Sequence, residues 1–396
     1  MPRTSKVISA SANYLTKPVS ARHDTLMYVK PLLLSAAVAL IGTDVANPDA
    51  AFKAGDFAAA RAGYSQQVRQ NAGDVNALLG LATTELYDNN VSAARAHLKY
   101  ALALQPANDR AGRLQRTLDA RTGRPGEFQI SQQGDAVLPF VAERPLPIVR
   151  IRIDGVDANV MIDTGAPILV VTQAFATAHH FSVRNVGMGL FAGGRRAPVQ
   201  ATTVNRISTS TLTVTNVPAN VMEAPGAGVD AIIGTGFFTH FLTTLDYKQH
   251  RLILRQRDAQ PPATAVANVP MWLVGDHFIF AQASVNDGAP ALYNIDSGSE
   301  FGVQMTKDAL RTAQIQPQAD KAQSFIGGGG ATRIFPFIAN SVAIGDARQQ
   351  SVGGMYFPDG DQYGAFPFTV GGTVSGGFLR HYAVTFDFKA MRLILE

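Results

Sequence analysis

The chain has 396 residues, room for two or three domains of about 100–200 residues each. Hydrophobic residues make up 46% of it and charged residues 16%, which excludes a disordered chain and predicts a large buried core. Cysteine is absent and the net charge is +4 with no Lys/Arg block, which excludes disulfides, zinc–cysteine sites, iron–sulfur clusters, thiol nucleophiles and a nucleic-acid footprint. The 36 glycines favour many tight turns between short strands.

In chain order, the first feature is Lys30 followed by the apolar run Pro31–Ile41. It suits the hydrophobic stretch of a secretory signal and falls short of the about 20 residues a membrane span needs. Ala37-Val38-Ala39 offers a small-residue cleavage pattern, and Met27 stands just ahead as an alternative start. Residues 1–46 are expected to be a targeting segment, sending the protein to a bacterial periplasm or outside the cell. It would become a membrane anchor only if left uncleaved.

Residues 47–122 are alanine-rich with helical periodicity. Asn47-Pro48-Asp49 signals a helix start, and Phe52, Phe57, Ala60, Tyr64 and Val68 recur at helical spacing, broken by a turn at Gly55-Asp56. A second helical pair carries Leu78, Leu81 and Ala82, then Ala94, Leu98 and Ala101, and closes at Pro106. This pair resembles a tetratricopeptide repeat over residues 75–108, with small residues at Ala82 and Ala94 where the helices meet. The preceding stretch reads as a partial copy and Asp109–Thr122 as a capping helix. The module is expected to dock a protein partner rather than carry chemistry.

After the turn-rich linker Thr122–Gly126 the period changes to two. Residues 147–162 read as a hairpin turning at Asp154-Gly155 and running into Asp163-Thr164-Gly165-Ala166. Residues 278–295 repeat the event through Asn286-Asp287-Gly288 and run into Asp296-Ser297-Gly298-Ser299. The copies continue: Gly236-Phe237 through His240, Asp246 and Arg251–Leu254 recurs as Gly377-Phe378 through His381, Asp387 and Arg392–Leu395. The later blocks stand 141 residues apart and the acidic motifs 133, so the second copy carries eight more residues between them. A glycine-rich aromatic turn lies midway in each copy, Phe191–Gly194 and Phe325–Gly330. The chain is an internal duplication, with β-rich lobes over 145–256 and 268–396.

A lone Asp-Thr-Gly is a turn. A pair related by duplication lets two carboxylates meet on a pseudo-twofold axis, with Thr164 and Ser297 bonding across it to the opposite backbone. Two adjacent carboxylates cannot both ionise freely, so they share a proton. One can then take a proton from water while its protonated partner polarises a peptide carbonyl.

With these motifs, residues 145–396 resemble a two-lobed aspartic protease of the pepsin/retropepsin type. The resemblance implies a mainly β fold: a duplicated two-lobe acid-protease-like β-barrel behind a small α-helical repeat domain. It implies Asp163 and Asp296 as the catalytic dyad, supported by Thr164, Gly165, Ser297, Gly298 and Ser299. It places candidate flaps at Phe191, Gly193 and Gly194 and at Phe325, Gly327 and Gly328. The family's second signature, two apolar residues then glycine, is matched by Ile232-Ile233-Gly234; the equivalent in the second lobe, Val374-Ser375-Gly376, departs from it unless the alignment slips by one residue. Ser299 supplies a hydroxyl beside Asp296 that Ala166 lacks beside Asp163, so Asp296 is expected to be the more anionic member.

The remaining polar residues carry no site. His179 and His180 are adjacent and do not share a face, so no metal is expected, and His240 and His381 recur as structural residues. No G-x-S-x-G elbow exists. The segment from Gly353 to Gly372 reads as either a mobile rim or an ordinary long loop. The chain is read as an aspartic endopeptidase acting on polypeptide without a cofactor. The alternatives are a catalytically silent peptide-binding protein and a helical-repeat adaptor using the fold as scaffold.

Overall fold

The computed structural model describes residues 47–223 and 228–396; the targeting segment expected over 1–46 lies outside them. Five helices come first: α1 (Pro48–Ala54), α2 (Phe57–Gln70), α3 (Val75–Tyr87), α4 (Val91–Leu104) and α5 (Asp109–Thr122). Each is capped by an Asn or Asp side chain, from Asn47, Asp56, Asp74, Asn90 and Asn108, that accepts a first-turn N–H. Gly55, at φ 80°, ends α1 in the left-handed conformation. Ala82, Ala94, Leu98 and Ala101 are fully buried between α3, α4 and α5 with Leu114 and Leu118. Among the described residues, no helix is long and apolar enough to cross a membrane.

The rest is mainly β, and its two halves repeat one element order. Each half has a hairpin, Ile148–Ile153 with Val156–Ile162 and Phe278–Val285 with Ala291–Asp296. The first turns through Asp154 and Gly155 and the second through Asn286 and Asp287, all at positive φ. Each half then has a short strand and a short helix, a long two-stranded arm, and a strand that pairs in parallel with the one ending in aspartate: Val160–Ile162 with Ala231–Ile233, Tyr293–Asp296 with Gly372–Ser375.

The halves are fused by a six-stranded antiparallel sheet. Its order is Ala136–Ala142, Arg251–Gln256, Phe241–Asp246, Ala383–Asp387, Arg392–Leu395, Ala267–Val274. At its centre Thr244 pairs with Thr385, their hydroxyls 2.7 Å apart. This places the pseudo-twofold axis between them, and one hydrophobic core runs through both halves. The strands Gln129–Gln132 and Ala136–Ala142 join the first half although they precede residue 145. Pro139 and the outward-facing Val137 and Val141 disguise the second of these as loop.

The helices do not stand apart from the β structure. Phe52, Phe57, Tyr64 and Tyr87 share a buried aromatic cluster with Trp272, Phe280, Leu292, Tyr363 and Phe368 of the second half. Phe57 meets Trp272 and Phe368 edge-on, at 5.6 and 4.9 Å between ring centres. The Thr369 N–H donates to Lys53 O at 2.8 Å, Asn89 Nδ2 to Phe388 O at 3.0 Å, and the Arg121 guanidinium to the carbonyls of Leu273 and Gly275. The long loop of the second half is therefore neither a mobile rim nor an ordinary loop. Its aromatic residues are the pad on which α1–α3 sit.

Candidate active site

Asp163 follows the strand Val156–Ile162, and its N–H donates to Ile233 O at 3.0 Å. Asp296 ends the strand Ala291–Asp296. Both are half-buried, whereas the neighbouring Thr164 and Ser297 are fully buried. The reason lies in what the hydroxyls do. Thr164 Oγ1 accepts the Ser297 N–H at 2.8 Å and donates to Ile295 O at 3.1 Å. Ser297 Oγ accepts the Thr164 N–H at 3.0 Å and donates to Ile162 O at 3.5 Å. Each loop thus ties the other's backbone, and four buried polar groups are satisfied at once.

The glycines are required by close approach rather than by backbone angle. A Cβ on Gly165 would lie 2.3 Å from Asp296 Oδ2, and one on Gly298 would lie 2.2 Å from Asp163 Oδ1. Each carboxylate therefore rests on the opposite loop's glycine, and only glycine leaves it room. Each is also held from its own loop: Gly165 N–H donates to Asp163 Oδ1 at 2.8 Å and Gly298 N–H to Asp296 Oδ1 at 2.7 Å.

The enclosure of its carboxyl and the Asp296 carboxylate beside it push the Asp163 pKa well above the usual carboxylate range, against the opposing pull of the Gly165 and Ala166 N–H groups. The Asp163 carboxyl is thus harder to ionise beside its partner than an isolated aspartate would be. Ser299 does not act as expected. Its hydroxyl accepts the Phe301 N–H at 3.3 Å and makes no hydrogen bond to Asp296, because the loop turns it back onto its own backbone.

Behind the aspartates the register corrects the sequence alignment. Ile162 pairs with Ile233 and Ile295 with Val374. Gly234 therefore corresponds to Ser375, and the counterpart of Ile232-Ile233-Gly234 is Thr373-Val374-Ser375. The motif itself gives no sign of the support that the hydroxyls of Thr235 and Ser375 provide. Thr235 Oγ1 donates to Thr164 O at 2.7 Å; Ser375 Oγ donates to Asp296 O and to Ser299 O. The constant 141-residue offset of the terminal blocks already held this alignment.

The two glycine-rich turns meet each other. Phe191–Gly194 joins the strands Arg184–Leu190 and Arg196–Ser208, while Phe325 and Gly327 lie in Gln323–Gly327, which pairs with Gly330–Ile334. Gly328 and Gly329 back directly onto Phe191, and Gly327 faces Ala192. Gly193 is buried against Thr332 and Phe357, and Phe325 packs edge-on against Phe357 at 5.6 Å. A cavity of about 620 Å³ lies between the arms, walled by Gly193, Gly194 and Arg195 on one side and Ser324, Thr332 and Arg333 on the other.

The histidines divide. His240 stacks on Phe128 at 3.9 Å and burial holds its pKa down at about 4, while His381 is exposed. His179 packs on Phe175, and His180 lies beside it in an outer groove of the first half.

Residues 149–237 match the family model described as Aspartyl protease. The matched stretch takes in Asp163-Thr164-Gly165 and Ile232-Ile233-Gly234 but none of the second half. Among solved structures the chain is similar to a retropepsin-like aspartic protease from Rickettsia conorii. The two are 18% identical, the likeness covers 32% of this chain and 94% of that one, and the TM-score is 0.26. No curated protein matches the chain.

Proposed function

We propose that the protein is an aspartic endopeptidase that hydrolyses polypeptide with a water molecule activated between Asp163 and Asp296. What carries the reading is the pair of carboxylates, one from each repeat, each seated on the other's glycine and locked by reciprocal hydroxyl–amide bonds. The two carboxyls share one proton, and the enclosure that raises the Asp163 pKa supports placing it on Asp163. Protonated Asp163 then polarises the scissile carbonyl, and ionised Asp296 takes a proton from the attacking water. The pair titrates as a unit, so kcat/KM against pH is expected to be bell-shaped: the acid limb marks protonation of the second carboxylate, the alkaline limb loss of the shared proton. The meeting arms Phe191–Gly194 and Phe325–Gly328 are assigned as flaps. The helices are assigned as an integral support that can also dock a partner.

The test pairs activity with stability. Incubation with a denatured protein digest from about pH 3 to pH 8, with sequencing of new termini, is expected to reveal internal cleavage. Asp163→Asn and Asp296→Asn are each expected to abolish it, and the double variant to lose no more than either. Asp163→Asn should nevertheless fold. Because the native pKa is raised, ionising this carboxyl costs the native state stability as pH climbs from the ordinary aspartate range through the raised value. The Asn variant escapes that cost, so its Tm is expected to exceed the parent's at neutral pH and to converge with it in acid. Cleavage that survives Asp296→Asn removes the paired mechanism; peptide binding without cleavage favours a silent peptide-binding protein.

A further inference from the structure

Beside Asp296 the second repeat carries a buried polar chain that the first repeat lacks. In the first repeat Met161 and Val170 both pair with Ile232, an all-apolar set. The matching register positions in the second are Asn294 and Gln304, both paired with Thr373. All three are at least 97% buried. The Tyr363 hydroxyl bonds the Thr373 hydroxyl, which donates to Gln304 Oε1 at 3.4 Å. Asn294 Oδ1 and Gln304 Nε2 are left without partners. Unpaired buried polar atoms are destabilising where an apolar trio would serve for packing, as the first repeat demonstrates. The polar set therefore calls for a role other than packing.

Two connections supply one. Towards the site, Thr373 lies two residues ahead of Ser375 on the strand paired with Asn294–Asp296, and Ser375 Oγ bonds the Asp296 carbonyl. Fixing Thr373 thus fixes the backbone that presents Asp296. Towards the helices, Tyr363 lies alongside Phe366 at 6.3 Å, Phe366 stacks on Phe368 at 5.3 Å, and Phe368 meets Phe57 of α2 at 4.9 Å. We propose that Tyr363 is a positioning residue for Asp296, through which helices α1–α3 hold the second aspartate in catalytic register. Its kinetic expression rests on the endopeptidase reading; its structural expression does not.

Tyr363→Phe keeps the ring and removes the bond. Its kcat is expected to fall about three- to tenfold with KM within about twofold, the size of one hydrogen bond redirected from ground-state packing to the reacting geometry. Amide hydrogen exchange of peptides spanning 291–302 should quicken while those spanning 156–168 stay unchanged. Phe57→Leu should act in the same direction. Leu98→Ala, in the inner helical core away from Phe368, should lower Tm yet keep kcat. Unchanged exchange at 291–302 in Tyr363→Phe overturns the inference whether or not the protein cleaves peptide. An equal loss of kcat in Leu98→Ala overturns it too, since general stability would then explain the effect. Absence of cleavage by the parent protein sinks the endopeptidase reading alone.

Discussion

The two repeats place their aspartates in matching cradles by different local means. Asp163 is followed by five residues before Leu169 takes up the next strand position, and Asp296 by six before Val303, the strand residues that pair with Ile233 and Val374. In the first repeat the tight loop presses on Gly234, whose Cβ would lie 1.9 Å from Pro167 O, and the supporting hydroxyl comes from the next residue, Thr235. In the second the longer loop leaves room for a side chain at Ser375, which supplies the hydroxyl itself. The crowding moves on to Gly376, whose Cβ would lie 2.6 Å from Ser299 O. Glycine and hydroxyl have exchanged places. The cradle is thus specified by a backbone environment, and the order of residues that meets it is free to shift by one.

The largest expected effect comes from the feature present on one side only, the helical pad. Phe57→Ala removes a fully buried ring wedged among Tyr87, Trp272 and Phe368, and is expected to cost about 3–5 kcal/mol by calorimetry or denaturant unfolding. Deleting residues 47–121 would expose Trp272, Phe280 and Phe368 together, so the truncated chain is expected to aggregate rather than fold as a smaller unit. A soluble, two-state truncated protein would restore the helices to a separable arm.

The exchanged glycine gives the next contrast. Gly234→Ser drives a side chain into two main-chain carbonyls that cannot move aside, and is expected to destabilise by about 1–3 kcal/mol or more. Ser375→Gly, the reverse change at the matching position, should cost only the hydrogen bonds to Asp296 O and Ser299 O, about 1–2 kcal/mol. Equal costs would mean that the extra loop residue after Asp296 does not create the room. Across the axis the expectation is symmetry. Thr164→Val and Ser297→Ala each strand one buried N–H of the opposite loop, for about 1–3 kcal/mol apiece. The double variant should cost less than the sum, since either change already opens the ring of bonds.

The sequence carried the duplication, the mainly β character and the acidic pair because each rests on short-range order: alternation, turn residues and a repeated tripeptide. The capped helices were legible for the same reason. What it hid is long-range. Nothing local marks Phe368 as a seat for α2, since an aromatic loop reads alike whether it meets solvent or a helix. Pro139 and outward valines masked a strand whose partner, Arg251–Leu254, lies over a hundred residues away. The one-residue slip behind the aspartates was visible in the 141-residue offset. A signature that ends on glycine points one residue too far, because the glycine itself has moved.

The smallest expected effect concerns Ser299. Read as a motif, its hydroxyl beside Asp296 and the methyl of Ala166 beside Asp163 would bias the shared proton. The loop instead spends that hydroxyl on the Phe301 N–H, and each carboxylate receives one matched bond from its own glycine, at 2.8 and 2.7 Å. Whatever separates the two carboxyls then lies in their enclosure and mutual repulsion, which no change at Ser299 alters. Ser299→Ala is expected to leave both limbs of the kcat/KM profile in place and to lower stability by about 0.5–1.5 kcal/mol for the lost partner of Phe301. Measuring the profile and the unfolding midpoint together separates the two accounts. An acid limb displaced upward at unchanged stability would return the hydroxyl to Asp296.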